Sequence, residues 1–227
     1  MNDSALSHRP HRSMMLVTGA NRDTLHAALQ SEADMICLDL EDTVADKDAA
    51  YALIPELLEH PTRAMKSIRL NPLSTEEGLK NLLMVRNMKT RPDVVKLTMV
   101  SDPYEVKLAA SLLPGMPLVV IVETALALQR AQEIASAAPE VLAISLGGKD
   151  LSNALGCARN WQGLQYARGR VAHAAAVAGV HALDEPYRPL DDLEGLKEHC
   201  QKIRDMGFVG KTTVDLRHIS IINQAFS

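Results

Sequence analysis

The 227-residue sequence predicts a single (β/α)8 TIM barrel, and three observations predict it. Short apolar runs alternate with amphipathic stretches along the whole chain, the pattern of strands in a parallel sheet joined by helices. Eight such runs can be counted, whereas an open doubly wound sheet more often has about six strands. The core must also be aliphatic, because the chain holds only two Phe, one Trp and four Tyr. Branched aliphatics are what line a closed barrel.

The elements follow in order. Met14–Val17 reads as strand one and Thr24–Ser31 as the helix after it; Met35–Leu40 and Lys47–Glu59 form the second pair. Ser67–Leu70 with Thr75–Met88, and Val94–Leu97 with Tyr104–Leu112, continue the alternation. Leu118–Val122 precedes the helical spacing of Ala125–Ala137, and Val141–Leu146 precedes Gln162–Ala178. Val180–Leu183 with Leu193–Met206, then Phe208–Val214 with Leu216–Phe226, complete the set. No linker, repeat or low-complexity tract divides the chain, so residues 13–227 are expected to form one domain and residues 1–12 a flexible tail.

Bulk properties narrow the function. A net charge of −4 gives no reason to expect nucleic acid or an anionic membrane as partner. No apolar run approaches the roughly 20 residues of a membrane span, and the polar N-terminus lacks the apolar core of a signal peptide. Cys37, Cys157 and Cys200 are odd in number and widely spaced, so they read as reduced thiols of a cytoplasmic protein.

Charge recurs where strands stop. Asp39, Glu41 and Asp42 follow strand two, Arg69 and Asn71 finish strand three, and Lys96 lies in strand four. Glu123 follows strand five, Asp150 strand six, and Asp184-Glu185 strand seven. In a barrel these ends converge on the face that carries the chemistry. Singly, each acid reads as a solvated loop residue or a helix cap, Asp150 before Leu151-Ser152-Asn153 included. Together, with Gly147-Gly148 permitting close backbone approach, Glu123 and Asp150 suit Mg²⁺, which keeps waters and takes other ligands from substrate oxygens. No H-E-x-x-H or C-x-x-C suggests zinc.

Arg69 interrupts an apolar strand, and such an Arg is seldom buried unless paired. Its partner is either an acid of the Asp39/Glu41/Asp42 cluster or a substrate carboxylate, and both can hold at once. Lys96 reads as an ion-pair partner for the same acids. Arg12 stays open between the tail and the site. Thr18-Gly19-Ala20-Asn21-Arg22 resembles a dinucleotide turn, but no further glycine follows until Gly78, which excludes that reading. No G-x-S-x-G nucleophile elbow occurs.

The order of these segments resembles the citrate lyase β-subunit family, within the larger superfamily of Mg-dependent aldolases and C–C lyases. The matching segments are Arg12–Gly19, Asp39-Leu40-Glu41-Asp42-Thr43-Val44, Ile68-Arg69-Leu70-Asn71 and Val122-Glu123-Thr124. They continue with Leu146-Gly147-Gly148-Lys149-Asp150-Leu151, Tyr166–Arg170 and Gly207–Lys211. The resemblance implies that Glu123 and Asp150 bind Mg²⁺, that Arg69 and Glu123 are catalytic and hold substrate, and that Arg12 contacts substrate or CoA. Asp39, Glu41 and Asp42 would stand behind these groups and support them.

The implied reaction is Mg-dependent cleavage of a 3-hydroxyacyl-CoA, of the citramalyl-, citryl- or malyl-CoA type, to acetyl-CoA and a 2-oxo acid. The implied assembly is a homo-oligomer, a trimer among relatives. Two departures stand out: Val214-Asp215-Leu216 replaces the family's Ile-His-Pro, and Ser227 comes before the C-terminal segment that many relatives carry. They keep two other readings in view, a class II aldolase acting on free pyruvate or another 2-oxo acid and a non-catalytic barrel subunit of a lyase assembly.

Overall fold

A computed structural model describes residues 10–41 and 47–227; Asp42 lies outside the described residues. Eight parallel strands close into a barrel in sequence order, β1 Ser13–Val17, β2 Met35–Asp39, β3 Met65–Arg69, β4 Val94–Leu97, β5 Leu118–Val122, β6 Val141–Leu146, β7 His181–Asp184 and β8 Gly210–Thr213. β8 returns to β1 through the pairs Ser13–Lys211, Met14–Thr212 and Met15–Thr213. The predicted (β/α)8 architecture is the observed one.

Side chains alternate between two layers, as a two-residue strand period requires. Met14, Met35, Cys37, Met65, Val94, Val119 and Leu183 fill the barrel interior. Their neighbours Met15, Ile36, Ile68, Val95 and Val120 face outward and pack under the helices. The core therefore lies in two shells, one inside the barrel and one between barrel and helices.

The described helices are α1 Arg22–Leu29, α2 Lys47–Ala52, α3 Ile54–Glu59, α4 Glu76–Asn87, α5 Pro103–Leu112, α6 Ala125–Gln129, α7 Ala131–Ala135, α8 Gly148–Leu155, α9 Trp161–Ala178, α10 Leu193–Asp205 and α11 His218–Ala225. Their starts are written in the sequence. Asn21, Thr75, Thr124, Asn160 and Asp192 each accept a backbone N–H with the side chain, and Asp102 forms a reciprocal box with Glu105. Gly179 ends α9 at φ 71, a conformation that costs glycine least.

The packed structure begins ahead of residue 13. His11 is buried, and Arg12 gives its carbonyl to the Lys211 N–H and its guanidinium to Asp34 at 2.8 Å. That contact lies at the N-terminal end of the barrel, before β1 and β2, with Ser227 completing it at 3.0 Å.

Candidate active site at the C-terminal mouth

Register builds the site in tiers. Asp39 pairs across the sheet with Arg69, and Arg69 with Lys96. All three point inward, so they form one layer on three adjacent strands. Two residues further along, Glu41 and Thr98 face inward above them, beside Glu123 at the end of β5. β6 lies next to β5 and leads through Gly147 into α8, whose first turn carries Asp150.

Arg69 is held on two sides. Its Nε and Nη2 bind the two oxygens of Asp39 at 2.7 and 2.6 Å, and Nη1 binds Glu41 at 2.7 Å. Burial works against its charge, yet Asp39 and Glu41 outweigh burial and keep the guanidinium above its usual value. A guanidinium has five N–H donors and these bonds use three of them, leaving one on each terminal nitrogen.

Glu123 is only 3% exposed and has no ion pair among the described residues. Its Oε1 accepts from Thr98 Oγ1 at 2.5 Å and from the Met99 N–H at 2.7 Å. Met99 holds φ 50, a left-handed conformation that non-glycine residues seldom adopt, so backbone strain is concentrated where the acid is fixed. Thr98 Oγ1 also lies 2.7 Å from Glu41. One hydroxyl carries one proton, so both contacts are satisfied only if one of the two carboxyls is protonated. Burial, against the pull of Arg69 and Thr98 and reinforced by Glu123, pushes Glu41 up to about 7.

Gly147 is packed against Glu123, and a Cβ there would fall on the carboxylate; Gly148 is packed the same way against Glu185. Arg159 clasps Glu185 at 2.6 Å, and Arg168 binds both Glu185 and Asp184 at 3.1 Å. Lys211 binds Asp184 at 2.6 Å. Burial alone would raise the Asp184 carboxyl, but Lys211 and Arg168 bring it down to about 2.

Arg69, Lys96, Glu41, Glu123, Asp150 and Gly148 line one cavity of about 250 Å³, together with Arg159 and Glu185. Glu123 Oε2 and both Asp150 oxygens have no hydrogen-bond partner among the described residues. Two hard oxygen donors with open positions fit a Mg²⁺ that keeps several waters. No cluster of three or more His, Cys, Asp or Glu able to hold a metal exists among the described residues.

The sequence-predicted residues thus fall into two groups. Arg69, Glu123, Asp150, Asp39 and Glu41 come together at the mouth. Arg12 does not: its guanidinium is engaged by Asp34 at the opposite end of the barrel, so it is no ligand for a substrate at the mouth. Lys96 has no acid within ion-pair distance among the described residues, so the expected pairing with Asp39 or Glu41 is not made. Thr98 escaped notice, although it lies two residues beyond Lys96 and so shares its inward parity.

A closed parallel barrel with two acids, one ending β5 and one in the first turn of α8, beside a partly buried arginine fits the metal-assisted lyases and aldolases. The chain belongs to the HpcH/HpaI aldolase/citrate lyase family, which it matches over residues 12–215. It is 33% identical over 230 residues to a (3S)-malyl-CoA thioesterase of Cereibacter sphaeroides, covering 98% of this chain and 80% of that one. Identity to the citrate lyase subunit beta of Escherichia coli is 31%, over 96% and 78% of the two chains.

RipC from Yersinia pestis superposes with a TM-score of 0.83 at 27% identity, covering 95% and 94%. The protein CitE of Mycobacterium tuberculosis, in complex with magnesium, acetoacetate and coenzyme A, gives 0.80 at 25% identity, covering 97% and 82%. The family resemblance read from the motifs holds, and with it the lyase class.

Proposed function

We propose that the protein is a Mg²⁺-dependent carbon–carbon lyase that cleaves a 3-hydroxyacyl-CoA to acetyl-CoA and a 2-oxo acid. One observation carries this reading: Glu123 and Asp150, from consecutive strand ends, share a cavity with Arg69. The CitE relative with magnesium, acetoacetate and coenzyme A supports it. Mg²⁺ held by Glu123 and Asp150 would supply Lewis-acid stabilisation of oxygen charge as the bond between C2 and C3 breaks.

The chain's own residues supply position and field. Thr98 and the Met99 N–H fix one oxygen of Glu123 and leave the other free. Asp39 and Glu41 hold the Arg69 guanidinium in place, and its two remaining N–H groups are available to a substrate carboxylate. Gly147 and Gly148, without side chains, leave the room that the Glu123 and Glu185 carboxylates occupy.

The same reading carries a homo-oligomeric, trimeric assembly and a cytoplasmic location. Exposed Leu126, Leu155 and Tyr166, on the mutually touching helices α6, α8 and α9, support the first. No described helix is long and apolar enough to cross a membrane.

The test is product analysis with citramalyl-, citryl- and malyl-CoA in the presence of Mg²⁺. One of them should yield acetyl-CoA and a 2-oxo acid. Glu123→Gln and Asp150→Asn should each lower that turnover by about a hundredfold or more. The malyl-CoA thioesterase relatives favour a second reading, thioester hydrolysis, and it would announce itself as malate and free CoA. Failure of the parent protein to turn over any of the three contradicts both readings.

A further inference from the structure

One side chain ties the end of β2 to the end of β3. Lys47 is half-buried and opens α2, where a cation gains nothing from the helix, whose backbone presents its positive end there. Its ammonium turns back along the chain. Nζ donates to the Leu40 carbonyl at 2.6 Å, to the Glu41 carbonyl at 3.0 Å and to Asn71 Oδ1 at 3.1 Å. An ammonium has three N–H donors, and these three oxygens match them one for one.

The same junction is laced from the β3 side. The Leu40 N–H donates to the Arg69 carbonyl at 3.1 Å, and Asn71 Nδ2 donates to the Leu40 carbonyl at 2.8 Å. Asn81 on α4 fixes Asn71 in turn, since its Oδ1 accepts the Asn71 backbone N–H at 3.1 Å and Nδ2 at 2.8 Å. Leu40, Asn71 and Asn81 are all buried, and a buried oxygen that loses its donor is costly.

This junction carries part of the mouth. The Glu41 carbonyl lies on Lys47, while its carboxylate reaches Arg69 Nη1 at 2.7 Å and Thr98 Oγ1 at 2.7 Å. The Glu41 N–H donates at 3.0 Å to Asp39 Oδ1, the oxygen that also receives Arg69 Nε at 2.7 Å. Where the guanidinium sits therefore depends on where the Glu41 backbone sits. Lys47 itself does not line the cavity.

We propose that Lys47 is a positioning residue for the site. By pinning the Leu40 and Glu41 carbonyls to Asn71 it sets Glu41, and through Glu41 it aims the Arg69 N–H groups that receive a substrate carboxylate. The inference rests on the reading of Arg69 as the group that binds that carboxylate. It adds a residue that acts on recognition without touching metal or substrate.

Calorimetry at saturating Mg²⁺ tests it, using pyruvate and its neutral isostere pyruvamide on the parent protein and on Lys47→Met. Met keeps most of the side-chain length without the donors, and Lys47→Gln is the milder variant should the first fold poorly. Both variants should bind pyruvate about tenfold more weakly than the parent. Their affinities for pyruvamide and for Mg²⁺ alone should match the parent's. A merely structural lysine would lower the thermal midpoint and leave pyruvate affinity of the folded variants at the parent's value, and that result overturns the inference. An equal loss for pyruvate and pyruvamide overturns it as well, because carboxylate recognition would not be what Lys47 sets. Absence of pyruvate binding by the parent contradicts the lyase reading itself, and this inference falls with it.

Discussion

At the scale of single residues, the mouth is organised by which acid each cation receives. Asp39 is fully buried and closes two of the three bonds that hold Arg69. Asp39→Asn leaves a buried guanidinium facing an amide, and removing one partner of a buried pair costs about 3–5 kcal/mol. Glu41 remains on Nη1, which places the expected loss near the lower end, about 3 kcal/mol. Urea unfolding should show it as a lower midpoint with unchanged slope; a midpoint equal to the parent's would mean that Asp39 does not anchor Arg69.

Much of this was legible beforehand. Charged residues at so many strand ends marked Arg69, Glu123, Asp150 and the acids after β2. The pairing scheme was not legible, because it depends on register. Asp39 stands opposite Arg69 and not opposite Lys96, and nothing in the local sequence fixes that offset.

At the scale of elements, strands were the most readable feature, since both faces are buried and the apolar runs are nearly continuous. Their cores match the sequence-based spans of β4, β5 and β6 to the residue. Helices differ where backbone chemistry intervenes. The expected helix over 47–59 is two, with Pro55 at the start of α3. The expected helix over 125–137 breaks at Arg130, which caps both α6 and α7.

The segment after β6 held the largest surprise. Gly147-Gly148 reads as a turn on propensity, yet Gly148 opens α8 and places Asp150 in its first turn. Packing against Glu123 and Glu185 leaves no room for a side chain at either glycine. Tertiary contact, not local preference, decides that helix. Arg12, which the motif offers as a contact for substrate or CoA, sits just before β1 on Asp34, at the barrel's other end from the mouth.

At the scale of the whole molecule, two histidines, buried His11 and partly buried His199, tie stability to pH. Burial and the nearby His181 ring hold His11 down to about 4, and burial together with Lys211 holds His199 down to about 3. Both start from 6.5 and are neutral in the folded protein at neutral pH. As pH falls below 6.5, the unfolded chain takes up protons that the folded protein refuses, so stability declines toward pH 4.

Each histidine contributes at most about 1.4 kcal/mol per pH unit over that range. Asp184, held at about 2, adds a further loss only below its ordinary 3.8. Glu41, pushed up to about 7, is protonated first in the folded protein and works the other way over the same range, offsetting about one ring. Urea midpoints should therefore still drop between about pH 6.5 and pH 4.5, but by no more than about one ring's share, and a midpoint that rises there would contradict the neutral state of both rings.

Glu123 and Asp150 sharing a single hard cation is the premise on which the chemistry stands. A crystal grown with Mn²⁺ in place of Mg²⁺ and with pyruvate tests it most directly, through the anomalous signal of the metal. The expected result is one ion between the two carboxylates, about 2.0–2.2 Å from an oxygen of each, with waters and ligand oxygens completing its shell. An ion held by only one of these acids, or found elsewhere on the protein, would contradict it.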